Sequence, residues 1–199
     1  MQRPLHALLH ACLLLSLTLA VAGSAFSKTK AVDERMPMCL ACHGATGQST
    51  TASTPSLGGQ PAGYVLIQLF MFRENLRHSE IMNPMAKDLS DDDLRAFSES
   101  LAKLPAPLPG AAQTDAEQVH RVQQLVQKNH CNSCHNPDFS GHENIPRLAG
   151  QRADYLAKTL KEYKTNVRAG YDGTMSEVMQ TVGDSEIADL ADYLSHWHP

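Results

Sequence analysis

The sequence predicts an all-α protein that is built from two similar units in tandem. Three observations support this fold class. Apolar residues recur at helical rather than strand spacing, the pattern C-x-x-C-H occurs twice, and the blocks that follow it are repeated in the same order. We therefore expect two small helical domains rather than one large domain.

Three pairs of matching positions define the repeat. The first cysteines of the two C-x-x-C-H patterns are 92 positions apart. Downstream, segment 57–64 matches segment 148–155 at an offset of 91, and segment 90–97 matches segment 183–190 at an offset of 93. Three matches in one order at nearly one offset indicate a duplicated unit of roughly 80 residues.

Composition divides the chain into four segments. Residues 1–25 contain an apolar run followed by small residues, which is typical of a secretory signal peptide. An uncleaved membrane anchor is the alternative for this segment. We expect the two units to cover residues 28–104 and 114–199, with a proline-rich extended linker over residues 105–113.

Local patterns place helices within each unit. Thr114 and Glu117 predict a capping box at the start of the second unit, and a further helix follows each of the two Gly-Gln pairs. The last helix of the first unit should begin near Ser90, whereas its counterpart near Gly183 lacks a serine cap. Pro37 predicts a short or broken first helix, because proline fits only the first helical turn.

The duplicated pentapeptide, at residues 39–43 and 131–135, is the attachment pattern of c-type haem. The alternative is a four-thiolate zinc site, but the two pairs are much farther apart than in a zinc ribbon. Zinc also gives no reason for a histidine directly after each pair. The thioether-forming residues would be Cys39, Cys42, Cys131 and Cys134, and the proximal iron ligands would be His43 and His135.

The number of cysteines is consistent with two covalent haems and with export. The chain has five cysteines, and the fifth, Cys12, lies within the predicted signal peptide. Cleavage after Ala25 would leave four cysteines, all in haem motifs. Because c-type haem is attached outside the bacterial cytoplasm, we expect a periplasmic protein.

A methionine is expected as the sixth ligand of each iron, since a thioether raises the reduction potential of a haem already bound by histidine. Met82 and Met175 each lie eight residues before the matching repeat position at the start of the last helix. The repeat therefore selects this pair. The rivals are Met85, Met179 and, in a bis-histidine haem, His78 or His142.

Two prolines are expected to orient the proximal histidines. Pro55 follows His43 by 12 residues, and Pro146 follows His135 by 11 residues. A ligating histidine normally donates its second ring N–H to an acceptor, and a proline carbonyl is suited to that role. Both prolines would also stiffen a loop, which is compatible with this interpretation.

Together these features resemble the two-haem cytochrome c4 family over nearly all of the mature chain. The resemblance rests on the haem motifs, the two prolines, the blocks 57–60 and 148–151, and the spacing from Met82 to residues 89–91. It implies two class I cytochrome c domains packed about a pseudo-twofold axis, with two covalent haem c groups. The implied axial pairs are His43 with Met82 and His135 with Met175.

Three classes of function are compatible with these features. The first, which the resemblance favours, is an electron carrier between respiratory chain partners and a terminal oxidase. The second is the dihaem subunit of a periplasmic dehydrogenase, such as flavocytochrome sulfide dehydrogenase. The third is an enzyme acting on peroxide or a sulfur compound, which would need an open iron site. Since each unit offers a methionine, we expect an electron carrier and not an enzyme.

Charge limits the range of partners. Residues 28–104 contain eight Lys and Arg against nine Asp and Glu, and residues 114–199 contain eight against twelve. This acidic balance argues against nucleic-acid binding and favours redox partners with a positive surface. We expect a monomer that meets an oxidase or a dehydrogenase complex, and peripheral association with the membrane stays open.

Overall fold

The computed structural model describes residues 32–111, 115–168 and 173–197. Within these ranges the regular secondary structure is helical, apart from an isolated bridge between His142 and Ile145. The all-α prediction is therefore confirmed. The predicted signal peptide lies outside the described residues. Among the described helices, none is long and apolar enough to cross a membrane.

In the first unit, the part of the chain that the structure describes contains four helices. They are α1 over residues 32–43, α2 (Ala62–Arg73), α3 (Met82–Ala86) and α4 (Asp91–Ala102). One apolar cluster joins all four helices with the loop before α4, because its members lie on the faces that the helices turn towards one another. The buried members of this cluster are Val32, Phe72, Ala86, Leu89, Leu94 and Phe97.

The described residues of the second unit form five helices. They are α5 (Ala116–Lys128), α6 (Cys131–Cys134), α7 (Ala153–Lys164), α8 (Thr174–Gln180) and α9 (Asp184–Ser195). A second apolar cluster lies between them, and in it the Phe139 ring packs edge to face with Trp197. The central side chains of this cluster are Val122, Leu125, Phe139, Leu156, Ile187, Leu190 and Leu194.

The expectation that Pro37 shortens or breaks the first helix is wrong. Helix α1 is continuous over residues 32–43, and Pro37 lies in its interior. Proline there removes one backbone hydrogen bond, a cost that packing on both sides of it offsets. Val32 belongs to the buried cluster, and the Arg35 guanidinium lies 5.8 Å from the centre of the Phe97 ring on α4. The first helix therefore does pack on the last helix.

The N-caps that the structure shows agree only in part with the predicted N-caps. Asp115, not Thr114, is the N-cap of α5, and its carboxylate accepts hydrogen bonds from the N–H groups of Glu117 and Gln118 at 3.0 Å. The N-cap therefore lies one residue after the predicted one. Thr114 itself lies outside the described residues.

The two last helices differ in their caps in the expected way. Ser90 accepts a hydrogen bond from the N–H of Asp93 at 3.1 Å, and the Asp93 carboxylate accepts the Ser90 N–H in return. At α9, Gly183 has no side chain to offer, and only the reverse bond remains, from the Gly183 N–H to the Glu186 carboxylate at 2.6 Å. The second unit therefore lacks half of this cap.

Two glutamines join the units through matching pairs of hydrogen bonds. The Gln60 amide donates to the carbonyl of Arg147 at 2.9 Å and accepts the Arg147 N–H at 3.0 Å. Gln151 makes the same two bonds with the backbone of Ser56, at 2.9 and 2.8 Å. Gln60 and Gln151 are repeat counterparts, as are Ser56 and Arg147. The contact is therefore close to twofold symmetric.

A further contact between the units depends on Asp154 at the start of α7. Its carboxylate accepts the N–H of Ser53 from the first unit and the N–H of Tyr155, both at 2.8 Å. Hydrogen bonds from the Arg152 side chain, together with these N–H groups, lower the pKa of Asp154 to about 2. The ionised form is thus the one that the fold stabilises.

We expect Asp154→Asn to lower the melting temperature at pH 7. Because the folded pKa lies below the ordinary value of 3.8, this contribution is present above about pH 4 and is lost as the pH falls through about 2. The carboxylate is partly exposed, so the effect should be about 0.2–1 kcal/mol. Thermal unfolding of both proteins between pH 7 and pH 2 measures it.

Asp88→Asn, at an exposed position, is the matched control for the loss of one charge. It should leave the melting temperature nearly unchanged over the same pH range. A stability difference between Asp154→Asn and the parent protein that does not shrink towards pH 2 would contradict the assignment to the carboxylate.

Candidate functional site

A continuous cavity of about 1690 Å³ extends through both units. A site for one small ligand is usually about 300–1,000 Å³, so this space suits more than one group of that size. Its wall includes both predicted proximal histidines and all four motif cysteines. The structure therefore places the two sequence motifs in one cavity.

The four motif cysteines line the cavity and differ in exposure. Cys39 and Cys131 are half-buried in the cavity wall, whereas Cys42 and Cys134 are exposed. All four thiols are free. Burial raises the pKa of the Cys39 and Cys131 thiols, so both are neutral at pH 7. The two cysteines of each pair are three residues apart within a helix. Their side chains therefore lie on the same side of that helix.

Both predicted proximal histidines contact the proline carbonyls that the sequence predicts for them. The Nδ1 atom of His43 lies 2.8 Å from the carbonyl oxygen of Pro55, and the Nδ1 atom of His135 lies 2.8 Å from that of Pro146. In the tautomer with Nδ1–H donating, Nε2 keeps a free lone pair.

Burial also keeps these two rings in the neutral form. The side chains of His43 and His135 are 7% and 5% exposed. Desolvation lowers the pKa of both rings, although the hydrogen bond to the proline carbonyl acts in the opposite direction. Because only neutral imidazole binds a metal ion, the fold prepares both rings for ligation.

The candidate sixth ligands differ in their surroundings. Met82 and Met175 line the cavity and are partly buried against the cluster of their own unit. Of their rivals, Met85 is 36% exposed, and Met179 is 1% exposed within the apolar cluster of the second unit. Met85 and Met179 also line the cavity. Burial is therefore what separates the rivals, because Met85 is the more exposed side chain and Met179 already serves as core. Of the histidine rivals, His78 and His142 are both exposed.

One polar feature of the cavity was missed by sequence reasoning. We call it the arginine cluster, and it lies where the two units meet. Its members are Arg77, Arg168, Tyr64, Tyr155, Gln68 and Thr159. All six line the cavity. The available signal was the repeat itself, because each member has its counterpart 91 residues along the chain.

Comparison with known proteins identifies a matching family. Residues 119–197 match the family model described as cytochrome c. The chain is 33% identical over 168 residues to "Cytochrome c4" from Thiocapsa roseopersicina, covering 79% of this chain and 85% of the relative. It is 34% identical over 168 residues to "Thiosulfate dehydrogenase electron acceptor" from Thiomonas intermedia (strain K12), covering 79% and 77%.

The chain is also similar in structure to a solved protein. Reduced recombinant cytochrome c4 from Pseudomonas stutzeri superimposes with a TM-score of 0.76 at 26% sequence identity. The match covers 85% of this chain and 98% of that structure. The chain belongs to the dihaem cytochrome c4 family. Its fold is a tandem pair of class I cytochrome c domains, and it carries two covalently bound haem c groups.

The side chains that line the cavity are chemically suited to two haem groups. Its wall is mostly apolar around each C-x-x-C-H motif, which suits the faces of a haem. At the junction of the units the wall becomes polar and positively charged, which suits the carboxylates at the haem edge. Each unit also offers one neutral imidazole and one thioether, the donor set of high-potential cytochromes c.

Proposed function

We propose that this cytochrome c4 is a periplasmic electron carrier that accepts electrons from a respiratory donor and delivers them to a terminal oxidase. The observation that carries the proposal is the matching of the two sites. Each places a buried, proline-oriented histidine and a methionine on the wall of one haem cavity. The haems supply the irons that change oxidation state.

The same argument assigns the residues of each site. We propose that Cys39 and Cys42 attach the first haem and that Cys131 and Cys134 attach the second. The proposed axial pairs are His43 with Met82 and His135 with Met175. With two protein ligands at each iron, neither site would keep a position for a substrate, so electron transfer without bond chemistry is the activity that this arrangement would support.

A second candidate partner has a specific observation in its favour. One relative is named a thiosulfate dehydrogenase electron acceptor, at an identity similar to that of the cytochrome c4 relatives. The donor of this chain would then be a dehydrogenase, which need not hold it as a permanent subunit. This candidate changes the electron donor and leaves the carrier role intact.

Stopped-flow mixing can separate the two candidates. The oxidised protein is mixed with substrate-reduced thiosulfate dehydrogenase, and the reduced protein is mixed with a cytochrome c oxidase. Rapid oxidation by the oxidase is expected in either case. Fast reduction by the dehydrogenase, saturating with its concentration, would assign it as a donor. Failure to transfer electrons to the oxidase would contradict the carrier proposal.

Carbon monoxide offers a test of whether the iron sites are closed. We expect the reduced protein to bind carbon monoxide poorly at neutral pH, because a methionine would occupy the sixth position of each iron. Met82→Ala should bind it readily at one haem and so serves as the positive control. Tight binding by the unaltered protein, together with turnover of peroxide or thiosulfate, would favour the enzyme hypothesis instead.

A further inference from the structure

Gln151 and Gln60 are buried glutamines that each bind the backbone of the opposite unit. Both residues are 3% exposed. The side-chain oxygen of Gln151 accepts the N–H of Ser56 at 2.8 Å. That of Gln60 accepts the N–H of Arg147 at 3.0 Å. Ser56 and Arg147 directly follow the prolines whose carbonyls contact the predicted proximal histidines. Each glutamine therefore binds the chain beside a predicted iron ligand of the other unit.

The histidine and the glutamine lie at opposite ends of one peptide group. In the ligating tautomer, the Nδ1–H of His43 donates to the carbonyl of Pro55 at 2.8 Å. The N–H of the same peptide belongs to Ser56 and donates to Gln151. The corresponding peptide of the second unit makes the same two kinds of bond. A peptide group is planar and conjugated, so a change in charge at its N–H is also felt at its carbonyl oxygen.

The direction of the electronic effect follows from this arrangement. Hydrogen bonds in a chain polarise one another, and the effect is strong where water is excluded. The oxygen of Gln151 should therefore make the Pro55 carbonyl a better acceptor for His43. A stronger bond from Nδ1–H makes an imidazole more basic, and a more basic ligand stabilises ferric iron over ferrous iron. The glutamine should thus lower the reduction potential.

The orientation of both amide groups is fixed by their remaining bonds. The amide nitrogen of Gln151 donates to the carbonyl of Ser56, and that of Gln60 donates to the carbonyl of Arg147, both at 2.9 Å. The oxygen of Gln151 also accepts the N–H of Arg152 at 3.0 Å. With the nitrogen held in this way, the amide oxygen faces the peptide N–H. The polarity of each contact is therefore built into the junction of the units.

We propose that each glutamine tunes the haem of the opposite unit, so that Gln151 lowers the reduction potential of the first haem and Gln60 lowers that of the second. Both are positioning residues, because they act through the peptide that accepts the hydrogen bond of the proximal histidine. The inference rests on the proposed ligation of the irons by His43 and His135. It is independent of which partner donates or accepts electrons.

Redox titration of the holoprotein, followed by NMR so that each potential is assigned to one haem, tests this crossed arrangement. Gln151→Leu should raise the equilibrium constant for reduction of the first haem on the order of threefold, or about 28 mV at about 59 mV per tenfold. The second haem should be unaffected. Gln60→Leu should give the opposite pattern. In the reduced protein, the Nδ1–H signal of His43 should move upfield in Gln151→Leu, whereas that of His135 should stay in place.

Two further variants separate this effect from a structural role. Gln151→Glu keeps an oxygen that can accept the N–H of Ser56, so the potential of the first haem should stay the same or fall. Gln48→Leu is the matched control, because the Gln48 side chain also binds both backbone groups of one residue, Leu108, at 3.2 and 3.3 Å. Those groups do not belong to a peptide that contacts a proximal histidine, so both potentials should be unchanged.

The outcomes distinguish this inference from the proposed function. Folded Gln151→Leu protein with two haems and an unchanged first potential would overturn the inference, whereas its intact thioether-to-iron band would leave the proposed ligation in place. A rise at the second haem alone, or at both haems, would also overturn it, as would a rise at the first haem in Gln151→Glu. If Gln151→Leu does not fold, Gln60→Leu and Gln151→Glu supply the test. Absence of the band from the unaltered protein would instead contradict the proposed function.

Discussion

Cys131→Ala combined with Cys134→Ala should yield a protein with one covalent haem and an unfolded second unit. An unfilled cavity costs roughly 24 cal/mol per Å³. Even at the lower limit for a ligand site, about 300 Å³, an empty site would therefore cost roughly 7 kcal/mol, which is comparable with the whole stability of a typical domain. Helices α5 to α9 cannot close this space by small shifts, because their apolar side chains face it from several directions.

Intact mass and circular dichroism measure this outcome. After acid–acetone treatment, which removes any haem that is not covalently bound, the mass should exceed that of the mature chain by one haem. The helical circular dichroism signal should fall by the fraction that the second unit contributes, while the first unit keeps its haem at Cys39 and Cys42. The complementary double variant of those two cysteines should give the opposite pattern.

Ser133→Ala is the matched control, because it alters the same motif and leaves both thiols in place. The Ser133 side chain is exposed, so its loss should change neither haem content nor folding. Two haems in the double cysteine variant after acid–acetone treatment would refute the assignment of these thiols. One haem with the unfolding curve of the parent protein would refute the expected unfolding of the second unit.

The sequence predicted the fold class and the local parts of the site for definite reasons. Helical periodicity and the absence of strand-like alternation were enough for the all-α class. The hydrogen bond from His135 to the Pro146 carbonyl could be predicted because both residues lie in one short loop, 11 positions apart. A contact between residues joined by so short a stretch of chain depends little on how the remaining helices are arranged.

The contacts between the units could not be predicted in the same way. Gln60 and Arg147 are 87 positions apart, and their pairing depends on the angle at which one unit meets the other. The repeat showed that each unit has a glutamine at this position, but not which backbone segment of the other unit that glutamine binds. Pro37 failed as a predictor for a related reason, since tertiary packing of Val32 and Arg35 outweighs a local helix rule.

The interface contacts also connect the two haem sites through the backbone. Gln151 binds both backbone groups of Ser56, which follows the proline that orients His43. Gln60 does the same beside the proline that orients His135. Each unit thus stabilises the loop that holds the proximal histidine of the other unit. A change in the packing of the units would alter both ligands together.

Met82→His and Met175→His should each lower the potential of one haem by on the order of 0.1–0.3 V. Axial ligands tune haem potentials over a range of about 0.8 V, and imidazole stabilises ferric iron more than a thioether does. Each variant should also lose about half of the weak thioether-to-iron absorption band, since two such bonds are expected in the parent protein. Spectroelectrochemical titration measures both effects in one experiment.

The rival methionines supply the controls for this experiment. Met85→Leu changes a side chain that is 36% exposed, and Met179→Leu is a volume-conserving change within the core. Neither variant should alter the absorption band or either potential, although Met179→Leu should lower stability by up to about 1.5 kcal/mol. Loss of the band in Met85→Leu or Met179→Leu, with the band intact in Met82→His or Met175→His, would show that the repeat position does not identify the ligand. The pairing of Met82 with Met175 would then be a coincidence of spacing, and the closed iron sites of the proposed carrier would need a different sixth ligand.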